Sequence, residues 1–291
     1  MDVLEKLEIT GWRGPFSADV TAKTAEGLEK GKILFAPLLH FELSETEKRF
    51  LSPIYLDPKS KNISFRPSNG ALGGSSAEGR DREDLTALLG RYYESATALI
   101  TGLCPPYRER ITPGFTSFRP ARVEGRATSW RKDDSRLHVD AFPSRPLQGL
   151  RILRVFTNVN PSAPRDWRVG EPFEDVAKRF LPEIRRQVPG SGWMLHKLGV
   201  VKSVRTEYDH LMLGIHDRMK ADDGYQSGSE QVALAIPAGA TWACYTDLVP
   251  HAAMAGQFAF EQTFYVPVEA MEDESRSPLR VLERLTNRKL A

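Results

Sequence analysis

The stretch Leu137-His138-Val139-Asp140 places a histidine and an aspartate two residues apart in an extended, apolar segment. In a strand, side chains two residues apart point to the same face, so both can reach one metal ion inside a barrel. A second histidine from a distant strand would complete a facial triad and leave positions open for a co-substrate and oxygen. His251 lies between two predicted strands. The pattern therefore predicts a mononuclear iron site formed by His138, Asp140 and His251.

The His-x-acid spacing alone does not identify a metal site, because His40-Phe41-Glu42 matches it as well. That second match precedes a serine and a glutamate at the spacing of a helix capping box, Ser44 and Glu47. His138 instead lies in the part of the chain that is richest in strand signals. We therefore interpret His40 as a structural histidine. The other histidines have no partner at ligand spacing on a strand, and we interpret them as surface, core or substrate-loop residues: His196, His210 and His216.

Strand and helix signals divide the chain into three regions of what we expect to be one elaborated domain, of the α+β class with a mainly β core. Residues 1–115 are predicted to form an N-terminal mixed α/β extension, with the clearest helix at 84–103. Residues 116–268 are predicted to form the β core, an antiparallel barrel or sandwich, with an insertion near 161–230 that we expect to carry substrate contacts. Residues 269–291 are predicted to form a basic amphipathic helix.

The composition excludes several classes of protein. Of 291 residues, 41% are hydrophobic, which is enough for a sizeable core, and the 27% that are charged leave a formal net charge of only +2. We therefore expect neither a disordered polyanion nor a nucleic-acid-binding protein. No apolar run approaches the roughly 20 residues of a membrane span, and the amino terminus does not resemble a secretory signal. The two cysteines, Cys104 and Cys244, stand far apart and suit a reducing compartment, so we expect a cytoplasmic protein.

If the metal site uses 2-oxoglutarate, a cation must hold the distant carboxylate of that co-substrate. The chain after His251 has no lysine or arginine from 252 to 275, so the cation must come from elsewhere. Within the predicted strand at 151–160, alternation places Arg154 on one face with Phe156. An arginine in so apolar a strand is costly to bury without an anion. Arg154 is therefore a candidate for the co-substrate contact, with an outward-facing arginine or a structural ion pair as the alternatives.

Several longer segments carry a family resemblance that is more specific than the metal motif. They are Leu137-His-Val-Asp-Ala-Phe-Pro-Ser-Arg-Pro146, Arg151-Ile-Leu-Arg-Val-Phe-Thr-Asn-Val-Asn-Pro161, Pro164-Arg-Asp-Trp-Arg-Val-Gly-Glu-Pro-Phe173, Arg205-Thr-Glu-Tyr-Asp-His-Leu-Met-Leu213, His216-Asp-Arg-Met-Lys220, Thr246-Asp-Leu-Val-Pro-His-Ala-Ala253 and Glu261-Gln-Thr-Phe-Tyr265. These segments, spread over roughly 115 to 290, resemble the family of Kdo hydroxylases, where Kdo is 3-deoxy-D-manno-oct-2-ulosonic acid.

The resemblance implies both a fold and a reaction. It implies a double-stranded β-helix, a jelly-roll or cupin-like barrel with flanking helices. It also implies a dioxygenase that depends on Fe(II), 2-oxoglutarate and molecular oxygen. Such an enzyme hydroxylates C3 of Kdo in Kdo-lipid A, where Kdo is a sugar of the inner core of lipopolysaccharide, while 2-oxoglutarate is decarboxylated to succinate.

The resemblance also assigns residues. The metal ligands, and thus the catalytic residues, would be His138, Asp140 and His251. Arg154, Arg165 and Trp167 would be contacts of the co-substrate, or else of the sugar, and Arg119 is a further candidate for the sugar. Because Kdo carries a carboxylate and is attached to a phosphorylated lipid, we also expect Arg145 and Arg168 to contact the sugar, and to form a basic mouth with Arg119 and Arg165.

The predicted C-terminal helix offers a possible contact with a membrane. Its leucines fall on one face and its arginines on another: Leu279, Leu282, Leu285, Arg280, Arg284 and Arg288. One interpretation is that the leucines pack on the core and the arginines are only solvated. The other is that the arginines contact an anionic surface, which would make the protein peripheral at the inner face of the inner membrane.

Two other functions are compatible with the same residues. A 2-oxoglutarate oxygenase acting on another glycan or on a protein would keep the metal site and use the arginines differently. A non-catalytic β-barrel sugar-binding module would use the two histidines and the aspartate structurally, although such a module has no need of an open metal site. The sequence does not indicate an oligomeric state.

Overall fold

The computed structural model describes residues 2–125, 129–188 and 190–291, in which eleven strands form two sheets. The strands are β1 (Leu4–Lys6), β2 (Ile33–Ala36), β3 (Ile63–Arg66), β4 (Ala71–Gly73), β5 (Thr112–Arg119), β6 (Arg151–Asn158), β7 (Arg165–Gly170), β8 (Gln231–Ile236), β9 (Thr241–Tyr245), β10 (His251–Ala255) and β11 (Ala259–Val266). The α-helices are α1 (Ala18–Glu29), α2 (Gly79–Leu103), α3 (Phe173–Phe180), α4 (Ser191–Lys197), α5 (Glu207–Ala221), α6 (Asp223–Gly228) and α7 (Pro278–Thr286).

The larger sheet has eight strands in the order β1-β2-β9-β6-β11-β5-β3-β4, and the smaller sheet has three in the order β10-β7-β8. β1 pairs with β2 in parallel, whereas the neighbouring strands of the centre pair antiparallel. The chain therefore has a mixed α/β fold with a large, mainly antiparallel sheet. Because four of the strands before residue 112 belong to this sheet, the N-terminal region is woven into the same sheet as the centre.

The central strand β6 contributes to two hydrophobic cores on opposite faces of the larger sheet. Leu153 and Val155 join the core that also contains apolar residues of α2, α3 and α5. Phe156 joins Trp242 and residues of the smaller sheet, including Trp167. Alternate side chains of a strand point to opposite faces, which explains why β6 is buried along nearly its whole length. The smaller sheet thus packs on one face of the larger one.

The predicted helix at 84–103 is present and begins earlier, at Gly79. Its apolar stripe is buried as its spacing predicts, with Leu85, Leu88 and Leu89 at most 1% exposed. Tyr92 on the same stripe donates from its hydroxyl to the carbonyl of Val155 at 3.2 Å. The helix therefore covers the larger sheet on the side away from the smaller one.

The C-terminal helix is shorter than the predicted range of 269–291. Two 3-10 turns, at Val268–Ala270 and Glu274–Arg276, precede α7. The side chain of Ser277 caps α7 by accepting from the N–H of Arg280 at 3.2 Å, and Asn287 ends it with a φ of 50°. The predicted insertion near 161–230 contains helices α3 to α6, but it also contains β7, which is the middle strand of the smaller sheet.

Among the described residues, no helix is both long enough and apolar enough to cross a bilayer.

Candidate metal centre and active-site cavity

His138 and His251 face each other across a single antiparallel bridge. The N–H of His138 donates to the carbonyl of His251 at 3.0 Å, and the reverse hydrogen bond is 2.9 Å long. His251 opens β10, whereas residues 137–140 are extended and make this one bridge rather than a regular strand. The extended backbone is sufficient to turn the side chains of His138 and Asp140 toward the same point.

Asp140 is positioned by the turn that precedes β10. Its N–H donates to the carbonyl of Thr246 at 2.8 Å. One potential ligand atom from each of His138, Asp140 and His251 lies within 4.8 Å of the other two, and all three residues are buried. The centroids of the two imidazole rings are 4.7 Å apart. Two histidines and one carboxylate thus converge as in a facial triad.

Both histidines present the ring nitrogen that a metal ion would need. Nδ1 of His138 lies 2.8 Å from the carbonyl of Arg136, and Nδ1 of His251 lies 2.8 Å from the carbonyl of Val249. A carbonyl can only accept, so each Nδ1 carries the proton and each Nε2 keeps its lone pair. Burial lowers the pKa of both imidazoles, which favours the neutral form. This donor set fits a non-haem Fe(II) ion.

A row of alternating charges lies beside the three residues. Arg154 places Nη2 3.0 Å from Oδ2 of Asp140 and Nη1 3.0 Å from Oε1 of Glu261. Arg119 shares Glu261, with Nη2 2.7 Å from Oε2, and its Nη1 lies 3.3 Å from Oδ2 of Asp134. The guanidiniums of Arg119 and Arg154 in this poorly solvated wall are therefore both paired with carboxylates. Such pairing is expected because an unpaired buried charge is costly.

The arginines keep the buried acids of this wall charged. Burial by itself raises the pKa of Asp140 and of Glu261, but Arg154 opposes it and both pKa values fall below their ordinary range. Burial also raises the pKa of Asp134, but Arg119 and Lys61 together more than offset it, so that this pKa is lowered as well. The wall therefore carries fixed charges of both signs at neutral pH.

A cavity of about 550 Å³ opens over the triad. Trp167 stacks on His251 at 5.3 Å between centroids with an interplanar angle of 20°, and His216 of α5 meets His138 edge to face at 5.5 Å. Additional cationic side chains line the cavity: Lys61, Arg131, Lys132 and Lys220. A larger hollow of about 810 Å³ elsewhere in the described chain contains none of these residues.

The sequence profile of 3-deoxy-D-manno-oct-2-ulosonic acid (Kdo) hydroxylases matches residues 12–289. The chain belongs to the Kdo hydroxylase family. Among solved structures, it is similar to the Kdo hydroxylase KdoO, a non-heme Fe(II) α-ketoglutarate-dependent dioxygenase, in complex with α-ketoglutarate and Fe(III). That pair has 44% identity, covers 99% of this chain and 97% of the other, and has a TM-score of 0.95. The complexes of KdoO with cobalt(II) and with succinate and Fe(III) match over the same shares, at 44% identity with TM-scores of 0.96 and 0.95. No curated protein sequence matches the chain.

In this member of the Kdo hydroxylase family, most of the predicted site residues line one cavity: His138, Asp140, His251, Arg119, Arg154, Arg165 and Trp167. Two predicted sugar contacts do not line it. Arg145 donates to the hydroxyl of Tyr265 at 3.2 Å. Arg168 donates to the carbonyl of Ser135 at 2.9 Å, because alternate residues of β7 point to opposite faces.

The sequence interpretation missed several residues of the Kdo hydroxylase cavity. Glu261, which pairs with two arginines, is one of them. The sequence does carry a signal for it, because a carboxylate in a strand that is mostly apolar needs a cation just as Arg154 needs an anion. His216 is another, and its place in the cavity wall depends on how α5 packs. Asp134 and Lys61 lie in irregular segments, where residue spacing carries no directional information.

Proposed function

We propose that this chain is an Fe(II)- and 2-oxoglutarate-dependent dioxygenase that hydroxylates C3 of Kdo in Kdo-lipid A. The observation that carries the proposal is the convergence of His138, Asp140 and His251 in a buried cavity of a Kdo hydroxylase-family chain. A sugar-binding module would not need two histidines whose Nε2 lone pairs face an open space. The C3 position and the lipid A acceptor come from the family resemblance.

We further propose that the two sheets form the double-stranded β-helix of the family. The support is the hydrophobic core between them, in which Phe156 and Trp242 of the larger sheet stack at 5.1 Å between centroids. Trp167 of the smaller sheet meets both rings edge to face, at 5.0 and 5.4 Å. In this arrangement the metal site lies between the sheets, with His251 on the smaller one and Arg154 on the larger one.

Each residue of the triad has a distinct role in holding the iron. His138 and His251 would bind through Nε2, and the carbonyls of Arg136 and Val249 fix the orientation of the two rings. Asp140 would bind as a carboxylate, and Arg154 holds the outer oxygen of that carboxylate. When bound, iron would allow molecular oxygen to act as the oxidant: one oxygen atom would enter the C–H bond, and the other would enter succinate as 2-oxoglutarate is oxidised with loss of carbon dioxide.

The co-substrate side of the cavity is proposed to consist of Arg154, Arg165 and Trp167. The two arginines offer planar forks that suit carboxylates, and the indole of Trp167 forms a flat apolar wall against His251. Arg119 lies on the same wall as Arg154, because both contact Glu261. Glu261 therefore holds two guanidiniums in fixed positions before any ligand arrives, which is the preorganisation that ligand binding requires.

The sugar side is proposed to use the other cations of the cavity. Kdo carries a carboxylate and is joined to a phosphorylated lipid, so a cationic wall is complementary to it. Lys220 is only 2% exposed, and its Nζ donates to the carbonyl of Arg131 at 3.1 Å. Lys61 and Lys132 line the same cavity. These residues replace Arg145 and Arg168 as the candidates for sugar contacts.

We also propose a cytoplasmic location. Both cysteines, Cys104 and Cys244, are free thiols buried in the core. A protein of this size without a disulfide is typical of a reducing compartment.

The first test is an anaerobic titration of the purified protein with Fe(II) and 2-oxoglutarate, monitored by the weak visible charge-transfer band of the chelate. We expect the band in wild type and in His40→Ala, and its loss in His138→Ala. His40 is the matched control because it carries the same His-x-acid spacing and is exposed, outside the cavity. A wild-type protein with bound iron but no band would overturn 2-oxoglutarate chemistry.

The second test identifies the substrate. We expect succinate release in proportion to hydroxylated product when Kdo-lipid A is supplied, and only slow uncoupled release without it. If the chelate forms but Kdo-lipid A does not increase succinate release, the enzyme class stands and the acceptor assignment fails.

A further inference from the structure

Large hydrophobic side chains are exposed mainly in one surface segment, which we name the α4 segment and define as residues 184–188 and 190–205. Trp193 is 59% exposed and Leu198 is 69% exposed. Six of the nine exposed large hydrophobic residues in the described parts of the chain lie here: Val188, Trp193, Met194, Leu198, Val200 and Val204. Scattered apolar residues on a surface need no explanation, but this concentration does.

The α4 segment is also strongly basic. Its basic residues are Arg185, Arg186, Lys197, Lys202 and Arg205, and the sequence from 184 to 206 contains no aspartate or glutamate. In the described parts of the chain, none of these five side chains lies within ion-pair distance of a carboxylate. The segment therefore presents uncompensated positive charge, although the whole chain has a net charge of only +2.

The arginines of α7, which the sequence suggested for membrane contact, are instead paired with carboxylates of the protein itself. Arg280 pairs with Glu274 and Glu283 at 3.0 and 2.9 Å, and Arg284 pairs with Glu174 at 2.8 Å. Arg288 forms an ion pair with Glu207. Because internal carboxylates already neutralise these guanidiniums, α7 offers less attraction to an anionic surface than the α4 segment does.

The α4 segment lies next to the wall of the active-site cavity. The N–H of Lys202 donates to the carbonyl of Ser144 at 3.0 Å, and the guanidinium of Arg205 donates to the carbonyl of Pro143. Pro143 itself lines the cavity. Directly after the segment the chain enters α5, whose Leu213, His216 and Lys220 also line the cavity.

We propose that the α4 segment docks the protein on an anionic phospholipid bilayer. A tryptophan and aliphatic side chains that enter the headgroup region, surrounded by lysine and arginine, are the combination that binds such an interface. Positive charges add attraction to anionic lipids. Docking by this segment would hold the neighbouring cavity at the membrane surface, where a lipid-linked sugar resides.

A second copy of the chain is a poorer occupant of this surface. In a two-fold dimer the same patch faces itself, so the five basic side chains of one copy would meet those of the other with no acid in the segment to pair with them. A bilayer with anionic headgroups supplies the missing negative charge. Only the purpose of docking rests on the proposed function, since vesicle binding itself requires neither iron nor Kdo.

The test is co-flotation of the full-length protein with vesicles of phosphatidylcholine that contain about one third phosphatidylglycerol. We compare wild type with Trp193→Asp/Leu198→Asp, with Lys197→Glu/Lys202→Glu, and with Ile54→Asp. Ile54 is the matched control, because it is 72% exposed and lies outside the α4 segment. The iron–2-oxoglutarate band of each variant serves as the check that the cavity is folded.

We expect wild type and Ile54→Asp to bind the anionic vesicles and not pure phosphatidylcholine, and both α4 variants to bind at least about tenfold more weakly with an unchanged chelate band. Equal binding by all four proteins, or no binding by wild type, would overturn the docking proposal and leave the proposed reaction untouched. A wild-type dimer in light scattering that Trp193→Asp/Leu198→Asp converts to a monomer would overturn it in favour of self-association. If wild type binds the vesicles but shows no iron–2-oxoglutarate band, the docking proposal stands and the proposed function is refuted.

Discussion

A buried ion pair behind the metal site provides a sharp test of how the triad is held. Arg151 and Asp247 are 0% and 1% exposed, and Nε and Nη2 of the arginine lie 2.7 and 3.3 Å from the two carboxylate oxygens. The same guanidinium lies 3.8 Å from the ring centroid of Tyr245. Asp247 belongs to the turn between β9 and β10. That turn supplies the carbonyl of Thr246 that fixes Asp140, and it ends at His251.

We predict that Asp247→Asn destabilises both the fold and the metal site. The change keeps the shape of the side chain but leaves a buried guanidinium without its counter-charge, which costs about 3–5 kcal/mol. At roughly 2–3 °C per kcal/mol for a chain of this length, Tm of the metal-free protein should fall by about 6–15 °C. Because the turn also orients Asp140 and His251, metal affinity should fall by roughly 10- to 100-fold.

Thermal unfolding of the metal-free protein and anaerobic Co(II) titration measure the two effects. Arg151→Met/Asp247→Leu should be less destabilised than Asp247→Asn, because it removes both charges together. Glu183→Gln is the surface control: Glu183 pairs with Arg218 at 3.0 Å, but both side chains are about half exposed, so Tm should change little. An unchanged Tm in Asp247→Asn, or a double variant less stable than the single one, would contradict the argument.

Three further predictions concern the cavity and the sheet. Burial raises the pKa of Glu261, but Arg119 and Arg154 lower this pKa below the ordinary 4.5. The ionised Glu261 therefore stabilises the fold fully above about pH 4.5, and this stabilisation is lost as the pH falls through the lower pKa of the folded state. Urea unfolding of the metal-free protein at several pH values should therefore show a steeper loss of stability below pH 4.5 in wild type than in Glu261→Gln; equal slopes would refute this. Lys220→Gln should raise KM for Kdo-lipid A and leave the chelate band unchanged, and an altered band would instead assign Lys220 to the co-substrate side. Deletion of residues 1–115 should give an insoluble chain, because it removes partners from β9 and β11 and exposes strand edges; a soluble, iron-binding product would show that the N-terminal region is dispensable.

The sequence predicted the triad because its geometry depends on local rules. A histidine and an aspartate two residues apart in extended backbone share a face whether or not the segment joins a sheet, so the two side chains lie together although 137–140 makes a single bridge. Alternation along β6 likewise placed Arg154 beside Phe156, and both line the cavity. The same rule applied to β7 separates Arg165 and Trp167, which line the cavity, from Arg168, which does not.

The rest of the site depends on contacts between distant parts of the chain. Glu261 on β11 can hold a guanidinium from β5 and another from β6 because β11 lies between these two strands in the sheet. The spacing of residues in a single sequence does not encode that strand order. Arg145 is a candidate for the basic mouth because of its charge alone. It lies in an irregular segment, where neither the strand period nor the helix period predicts where a side chain points.

The same limitation explains why sequence and structure suggest different surfaces for the membrane. A helical wheel of α7 displays a row of arginines, but it does not display Glu174 of α3 or Glu207 of α5, which reach those arginines from elsewhere in the fold. The attraction of a surface to anionic lipid depends on the positive charge that remains after ion pairs within the protein are counted, not on the number of arginines in the helix sequence. By that measure the α4 segment, which has five basic residues and no acid in its own sequence, keeps its charge. The hydrophobic residues of the α4 segment support the same surface, because large apolar side chains are usually buried and here the structure leaves them exposed.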